Sequence, residues 1–490
     1  MTVNVAKLDA NLDHTYQRMH DAAEGTALVE TFMARRPSAD ERVAAGKALR
    51  AKVPRSAHAE WKPRSDRSDP VSILEKQNAT RVPKLVPVRY ARMLASPFTF
   101  LRGSAAVMAD DLSGTPVSGL SVAACGDMHV SNFGVYASAE RNLIFAINDF
   151  DEIHPGPWEW DLKRLAASAA VATRFMGGDK AQAEGAAREC VRSYRKRMRR
   201  YAEMGYLQVW YERIDERAVL EAISPRLRRD AERQMDKARA KGHVQSLGKL
   251  TEEVDGEYRL IEDVPLIVRE AHADSGIPVH EALDEMLRGY VESLSRDRRA
   301  LLSRYRIVDG ARKVVGVGSV GTSCWVVLLQ GIDADDPLFL QVKQAQPSVL
   351  APYVSTKLHV ANQGHRVVIG QRLTQGSPDI FLGWGEVTGG RHFYVRQLAD
   401  MKGSVKFSEH DTAGIDGFVE YCAICGWALA LAHAKSGDAA MIAGYCGNSE
   451  ALDDAIGQFA LAYSKQTEQD HATLEKARRS GRIEVASGKV

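Results

Sequence analysis

The spacing of apolar and polar positions divides the chain into stretches of different period. Residues 1 to about 80 are polar, with helical patches broken at "RRPSAD" and "KPRSDRSDP", and predict a helical arm on the main body, loose at its start. "VPVRYARMLASPFTFLRGSAAVMADDL" (86–112) predicts two helices separated by a turn at Ser96-Pro97. From 117 to 150 the period shortens. "VSGLSVAAC" and "NLIFAIND" (142–149) read as strands, each running into a polar cluster, "GDMHVSN" and "DFDEIHPGP". Strand ends present side chains to a ligand because their backbone is already tied into a ladder.

"PWEWDLKRLAASAAVATRFM" (157–176) opens a region predicted helical to about residue 303, with Trp158, Leu162, Leu165 and Ala169 on one face. At 304 the character changes to three strands and two turns in "YRIVDGARKVVGVGSVGTSCWVVLLQGIDADDPLFLQVKQA". A helix over about 354–374 follows, then two strands, "DIFLGWGEV" and "RHFYVRQLA", and helices again over 415–480. The expected class is α+β. The expected units are an arm (1–80), catalytic-loop strands with a helical lobe (81–303), a small β-rich lobe (304–400) and helices completing the large lobe (401–490).

Bulk composition narrows the picture modestly. A chain of 490 residues, 45% apolar and 26% charged, suits a soluble protein of two or three lobes. Its net charge of +2 supplies no global field that would draw it to nucleic acid or a membrane. Six scattered cysteines suggest no disulfide framework, and the expected location is the cytoplasm. The N-terminus lacks the apolar run of a signal peptide. The most apolar window, 417–437, is interrupted by Glu420 and His433 and reads as a buried helix, with Cys422 and Cys425 as core residues. "RSYRKRMRRYAEM" is a local basic run, read first as a solvated helix face, with phosphate or nucleic-acid binding as the alternative.

The chemistry gathers in two places. "GVGSVG" puts Gly316, Gly318, Ser319 and Gly321 between two strands, and Lys343 ends the third strand, 22 residues after Gly321. Glycines there let backbone N–H groups reach phosphate oxygens, and a neighbouring lysine adds a point charge. The plain alternative is a hairpin turn. A strand follows the glycines, which argues against a dinucleotide fold, whereas this strand order is that of a kinase small lobe. Phosphoryl transfer also needs an acid at the attacking hydroxyl, an amide oxygen on Mg²⁺ and a second acid on the metal. "GDMHVSN" offers Asp127 and, five residues on, Asn132; "INDFDE" offers Asp149 and Asp151. Alone, each of these polar residues could simply cap a turn or a strand end.

"CGDMHVSNFGVY" and "LIFAINDFDEIHPGPWEWDLKRLAAS" resemble the catalytic segment of the aminoglycoside phosphotransferase and choline kinase group, through Gly126, Asp127, His129, Asn132, Ile147 (one residue early), Asp149, Phe150, Asp161 and Leu162. The resemblance implies a protein-kinase-like two-lobe fold using ATP and Mg²⁺. Asp127 would be the base, Asn132 and Asp149 the metal ligands, Asp161 a brace for the loop, and His129 a second brace or a proton-transfer group. Asp151 is a candidate second metal carboxylate. At closer range "RYARMLASPFTFLRG", "GDMHVSNFG", "NDFDEIHPGPWEWDLKRLAAS", "DPLFLQVKQA", "GQRLTQ", "DIFLGW" and "YVRQLADMKGS" resemble the bacterial domain-of-unknown-function family 2252 over roughly residues 40–480. That name carries no activity.

Two departures from the kinase pattern stand out. The glycine loop and Lys343 follow the catalytic loop instead of preceding it, which predicts a circular permutation. "STKLHVANQGHRVVIGQRLTQ" holds no acid to pair with Lys343, leaving Gln344 or Asp379 as substitutes. Arg89, Arg92 and Arg102 are candidates for phosphate or acidic-substrate contacts, with surface ion pairs the plainer reading, and Lys402 falls where a nucleotide hinge would end. Three functions are therefore in play: an ATP- and Mg²⁺-dependent phosphotransferase acting on a hydroxyl of an unknown acceptor, a nucleotide-binding pseudokinase, and a metal-dependent phosphoesterase built on Asp127-x-His129.

Overall fold

The computed structural model describes residues 36–271, 276–333, 335–355, 360–398, 401–406 and 408–487, with backbone only for 243–246. The first 35 residues, which the pattern assigns to the start of the arm, lie outside the described residues.

The fold is mixed α+β. Both strands expected before residue 150 form, as β1 (Ser121–Ala124) and β3 (Leu143–Ile147), but they do not pair with each other. Each pairs with a short strand the pattern does not reveal: β2 (Phe133–Ala137) lies antiparallel to β3, and β4 (His154–Pro157) antiparallel to β1. The sequence of β4 is His-Pro-Gly-Pro, which carries almost no strand propensity, and tertiary pairing alone keeps it extended. The span 86–112 forms three helices, because Ser104 leaves the helical conformation between Pro97–Gly103 and Ala105–Ser113.

The expected helical region begins with α1 (Trp158–Phe175) and α2 (Lys180–Ala202). It does not run unbroken to 303. Residues Thr251–Val254 (β5) and Glu257–Leu260 (β6) make a hairpin, and Ile267–Val268 (β7) joins the large sheet. Polar residues dominate this hairpin, so no apolar alternation announces it. Beyond it come β8 (Arg306–Lys313), β9 (Cys324–Gln330), β10 (Pro337–Ala345), α3 (Gln363–Thr374), β11 (Gly383–Val387) and β12 (Arg391–Gln397). The helix expected from about 354 begins only at Gln363, and residues 356–359 lie outside the described residues.

These strands form one six-stranded antiparallel sheet in the order β11-β12-β10-β9-β8-β7. Both faces are covered. Trp325, Val327 and Leu329 of β9 face the helix Val279–Ser293, which supplies Met286 and Tyr290 to the same cluster. Val326 and Leu328 point the opposite way, toward Leu247 and Leu260. Burial on both faces explains why β9 reads as an unbroken apolar run.

Beneath the sheet lies the larger core, built on α1, α2, α4 (Ile415–Ser436) and α5 (Ala451–Arg479). The apolar window is α4, buried within this core, with Cys422 and Cys425 among its buried free thiols. A side chain at Gly426 would meet Cys190 O at 2.1 Å, so only glycine lets α4 lie this close to α2. The basic run of α2 turns toward the start of α5. Arg195 makes two bonds to Asp453 (2.8 and 2.6 Å), Arg192 bonds Glu450 (2.7 Å) and Arg197 lies 3.5 Å over the Trp427 ring. Much of the run is thus neutralised within the protein.

The described part of the arm is pinned by charge. Arg67 bridges Asp111 and Asp470 (2.6 to 3.0 Å). His58 is buried, with Nε2 2.7 Å from Tyr445 Oη, and that hydroxyl itself donates to Val53 O. His58 Nε2 therefore carries the proton, while Nδ1 has no partner. Burial, and secondarily the charge of Lys163, pushes His58 down to about 3. The unfolded chain then binds this proton near pH 6.5 and the native protein does not, so stability rises with pH across that window. Urea denaturation should show stability falling below pH 6.5 by up to about 1.4 kcal/mol per pH unit from this group. The substitution His58→Gln should flatten the profile between pH 6.5 and about 3; an unchanged slope would assign it elsewhere.

Candidate active site

The loop between β1 and β2 carries the first polar cluster, and core side chains of α1 and α4 hold it. Gly126 turns the chain at φ +73°. Asp161 on α1 accepts hydrogen bonds from the N–H groups of Cys125 (2.6 Å) and Gly126 (2.9 Å). His433 of α4 lies 3.3 Å from Asp161 Oδ2 and bonds Tyr194 of α2 through its other nitrogen (2.9 Å). Ser168 accepts from Val130 N (3.0 Å) and Tyr421 donates to Val130 O (2.8 Å). Asn132 closes the turn internally, its Nδ2 donating to Asp127 O at 2.6 Å.

Asp127 lies at the mouth of this loop. Its Oδ1 accepts from Arg164 Nε (3.1 Å) and also from Arg164 Nη2. Burial, reinforced by the charge of Asp149, outweighs the arginine and raises the Asp127 carboxyl to about 6. His129 is buried behind it with Nε2 3.9 Å from Asp127 Oδ2 and Nδ1 without a partner. Burial, with Arg102 and Arg164 nearby, holds this imidazole well below its ordinary value and hence neutral.

The second cluster closes onto the sheet. Lys343 of β10 is buried and forms ion pairs with Asp151 Oδ2 and, at 3.6 Å, with Asp149 Oδ1. The acidic partner missing from the helix after β10 therefore comes from the β3–β4 turn. Gln344 and Asp379 do not serve: Gln344 accepts from Ser323 N, and Asp379 from the N–H groups of Phe381 and Gln397. Asp151 also accepts from Tyr394 Oη (2.7 Å) and Ser319 Oγ (3.4 Å). Burial alone would raise it, but the Lys343 cation and the Tyr394 hydroxyl hold it below the usual carboxylate value. Arg366 on α3 donates to Asp151 O (2.8 Å), Gln346 O (2.8 Å) and Ile153 O.

Above both clusters sits the glycine loop. Gly318 approaches so closely that a side chain there would meet Arg102 O at 3.0 Å and Asp127 Oδ2 at 3.8 Å. Gly316 and Gly321 take positive φ, and the segment just after the arm secures them through Arg92 to Gly316 O and Val82 N to Gly321 O (2.8 Å). Asp127, Asp149, Asp151, Gly318 and Ser319 line one cavity of about 640 Å³. Lys343 stands behind its acids, Asn132 and His129 behind Asp127, and Asp161 beneath the loop. Gly316 and Gly321 flank the turn without lining the cavity. Glu152 lines it too, pushed up to about 7 by burial.

The arginines diverge from the surface-pair reading. Arg89 is fully buried and bonds Asn78, Gln77 and Gly103 O; Arg92 holds the glycine loop; Arg102 lines the cavity. Lys402 lies beside a separate small cavity with Asp379 and Arg396, and burial lowers it to about 7. Sequence reasoning did not single out Arg164, Arg366 or His433 as site residues. Arg164 and Arg366 fall in helices whose patterns suggest only amphipathic packing, and neither the spacing nor the composition marks a buried arginine.

A family model described as "Uncharacterized protein conserved in bacteria (DUF2252)" matches residues 81–477, and the chain belongs to that family. No curated protein and no solved structure matches the chain.

Lys343 is the buried cation on which two partly exposed carboxylates depend. Replacing it with Met should cost less in chemical denaturation than the about 3–5 kcal/mol of a fully buried pair, because solvent still reaches both acids. Adding Asp151→Asn to that variant should recover much of the loss. Additive effects in the double-mutant cycle would show that the two residues are not coupled.

Proposed function

We propose that the protein is an ATP- and Mg²⁺-dependent phosphotransferase acting on a hydroxyl, with a kinase-like two-lobe fold in circularly permuted order. The observation that carries this reading is convergence. The strand-end acids Asp127 and Asp149 and the later loop Gly318-Ser319 line one cavity, with Lys343 3.6 Å from Asp149, although roughly two hundred residues separate the two segments. The antiparallel sheet bearing the glycine loop and lysine precedes α4, which enters the helical core beneath the catalytic loop, as permutation of a kinase would require.

The residues present suit Mg²⁺. Asp149 Oδ1 is buried without a hydrogen-bond donor, and the Asn132 amide oxygen takes no hydrogen bond from a described residue. Magnesium is commonly held by one or two carboxylates, with phosphate and water supplying the remaining ligands. Asp149 and Asn132 would hold it, and its charge would offset that of the phosphates. Asp151, engaged by Lys343, Tyr394 and Ser319, is assigned to orienting Lys343.

In the reaction, Lys343 and the N–H groups of the glycine loop position the ATP phosphates. Asp127 orients the acceptor hydroxyl and takes its proton as the oxygen bonds to the γ-phosphorus and the bond to the ADP oxygen breaks. Arg164 fixes the Asp127 carboxylate, so catalysis rests on placement and charge neutralisation. The pseudokinase alternative rested on a lysine without an acidic partner, and Asp151 removes that ground. The phosphoesterase alternative needs a ligand-rich centre; among the described residues, no group of three or more His, Cys, Asp or Glu is placed to hold a metal.

Asp149→Ala should abolish binding of Mg²⁺ with a non-hydrolysable ATP analogue, measured by calorimetry. Asp127→Ala should bind the analogue within about threefold of wild type, yet lose phosphate transfer or ATP hydrolysis by about a hundredfold or more. A crystal soaked with the same analogue should place its phosphates in the cavity, between the Gly318-Ser319 loop and Asp149. Unchanged turnover in both variants would refute these roles.

A further inference from the structure

The cavity has a wall that phosphate transfer from ATP leaves unexplained. Lys76, Arg81 and Arg102, all from the helical segments preceding β1, line it beside Asp127. The cations around the cavity fall into two groups. Lys343 and Arg396 accompany Asp149 and Asp151, at the end assigned to the nucleotide and metal. Arg102 and Arg164 accompany Asp127, where the acceptor hydroxyl would lie.

The two arginines beside Asp127 differ sharply in their bonding. Arg164 is saturated: it donates to Asp127, to Leu101 O (2.8 Å) and to Met108 Sδ. Arg102 donates to no protein acceptor among the described residues, and its Nε is buried without a partner. Its guanidinium lies 6.0 Å from the centre of the Phe98 ring, a cation–π contact and not a hydrogen bond. Arg81 is in a similar state, spending one N–H on Val320 O (2.5 Å) while its Nε is buried and unpartnered. Arg102 is only partly buried, so its terminal N–H groups keep access to the cavity while its Nε is left without an acceptor. The planar fork of donors of a guanidinium matches a carboxylate or phosphate. Asp127 is close enough for its charge to act on Arg102, yet its hydrogen bonds from arginine come from Arg164, through Oδ1, and Arg102 makes none to it.

We infer that Arg102, with Arg81 and Lys76 on the same wall, binds an anionic group of the acceptor. On the phosphotransferase reading, the substrate is then a hydroxyl compound that also carries a carboxylate or phosphate, and not a neutral sugar or a cationic amine. The anion would anchor the acceptor on the Arg102 side of Asp127 and hold its hydroxyl toward the γ-phosphate. Gly318, packed against the Arg102 backbone, would separate the two ligands' charges.

The test uses the full chain saturated with Mg²⁺ and the non-hydrolysable ATP analogue, so that the nucleotide subsite is already filled. Inorganic phosphate and citrate are titrated calorimetrically at matched ionic strength, with chloride as the control. At least one should bind, and phosphate against citrate distinguishes the two anion chemistries. Arg102→Gln should weaken that binding by tenfold or more while changing analogue affinity by less than threefold, and Arg102→Lys should fall between. The inference is overturned if neither anion binds above chloride, if Arg102→Gln leaves anion binding intact, or if it weakens the analogue as much as the anion. Should the wild-type protein bind no nucleotide, the phosphotransferase reading fails by itself. The same titration on the nucleotide-free protein then decides the anion site, which stands if binding is lost in Arg102→Gln and falls if it is not.

Discussion

A lysine buried at the end of a strand cannot stay charged without carboxylates beside it, and this requirement couples the two halves of the molecule. Lys343 belongs to the antiparallel sheet, while Asp149 and Asp151 belong to a turn that the chain completes far earlier. Bringing them together desolvates all three, so the interface has to supply further donors. Tyr394 and Ser319 bond Asp151, and Arg366 clamps the backbone of the same turn. The sheet is thus docked on the helical core through charge at its functional edge, while apolar packing acts on its two faces.

The catalytic-loop candidate is held on different terms. Tyr194, His433 and Asp161 form a buried chain from α2 through α4 to α1, ending on the N–H groups of Cys125 and Gly126. Arg164 extends the same helix toward Asp127, fixing one carboxylate oxygen. Val82 and Arg92, on the segment between the arm and β1, add a third constraint by holding Gly321 and Gly316, so the glycine loop is tethered over the cavity by residues remote in sequence.

Legibility in the sequence followed the strength of the local signal. The apolar run of β9 and the long helices α1, α4 and α5 were plain, because burial on one or both faces dictates composition there. The glycine loop and the two polar clusters were equally visible, since few other arrangements place Gly, Asp, His and Asn at that spacing. Five short strands, β2 and β4 to β7, were not. β4 is His-Pro-Gly-Pro and β5 to β7 are largely polar or very short, so their extended form comes from neighbours and not from their own residues. The break at Ser104 between helices was hidden by an apolar stretch that suits continuous helix equally well.

By itself the sequence determined which residues could do chemistry and which segments would be buried, because residue type and periodicity are local properties. It also specified the unusual order of those segments along the chain. Which charges meet was decided only in three dimensions. Asp151, and not Gln344 or Asp379, faces Lys343; Arg164 holds Asp127; and Arg102 stands in the cavity with its donors unspent. An ion pair depends on distances between residues remote in sequence, and no periodicity encodes that distance until the sheet has packed on the helices.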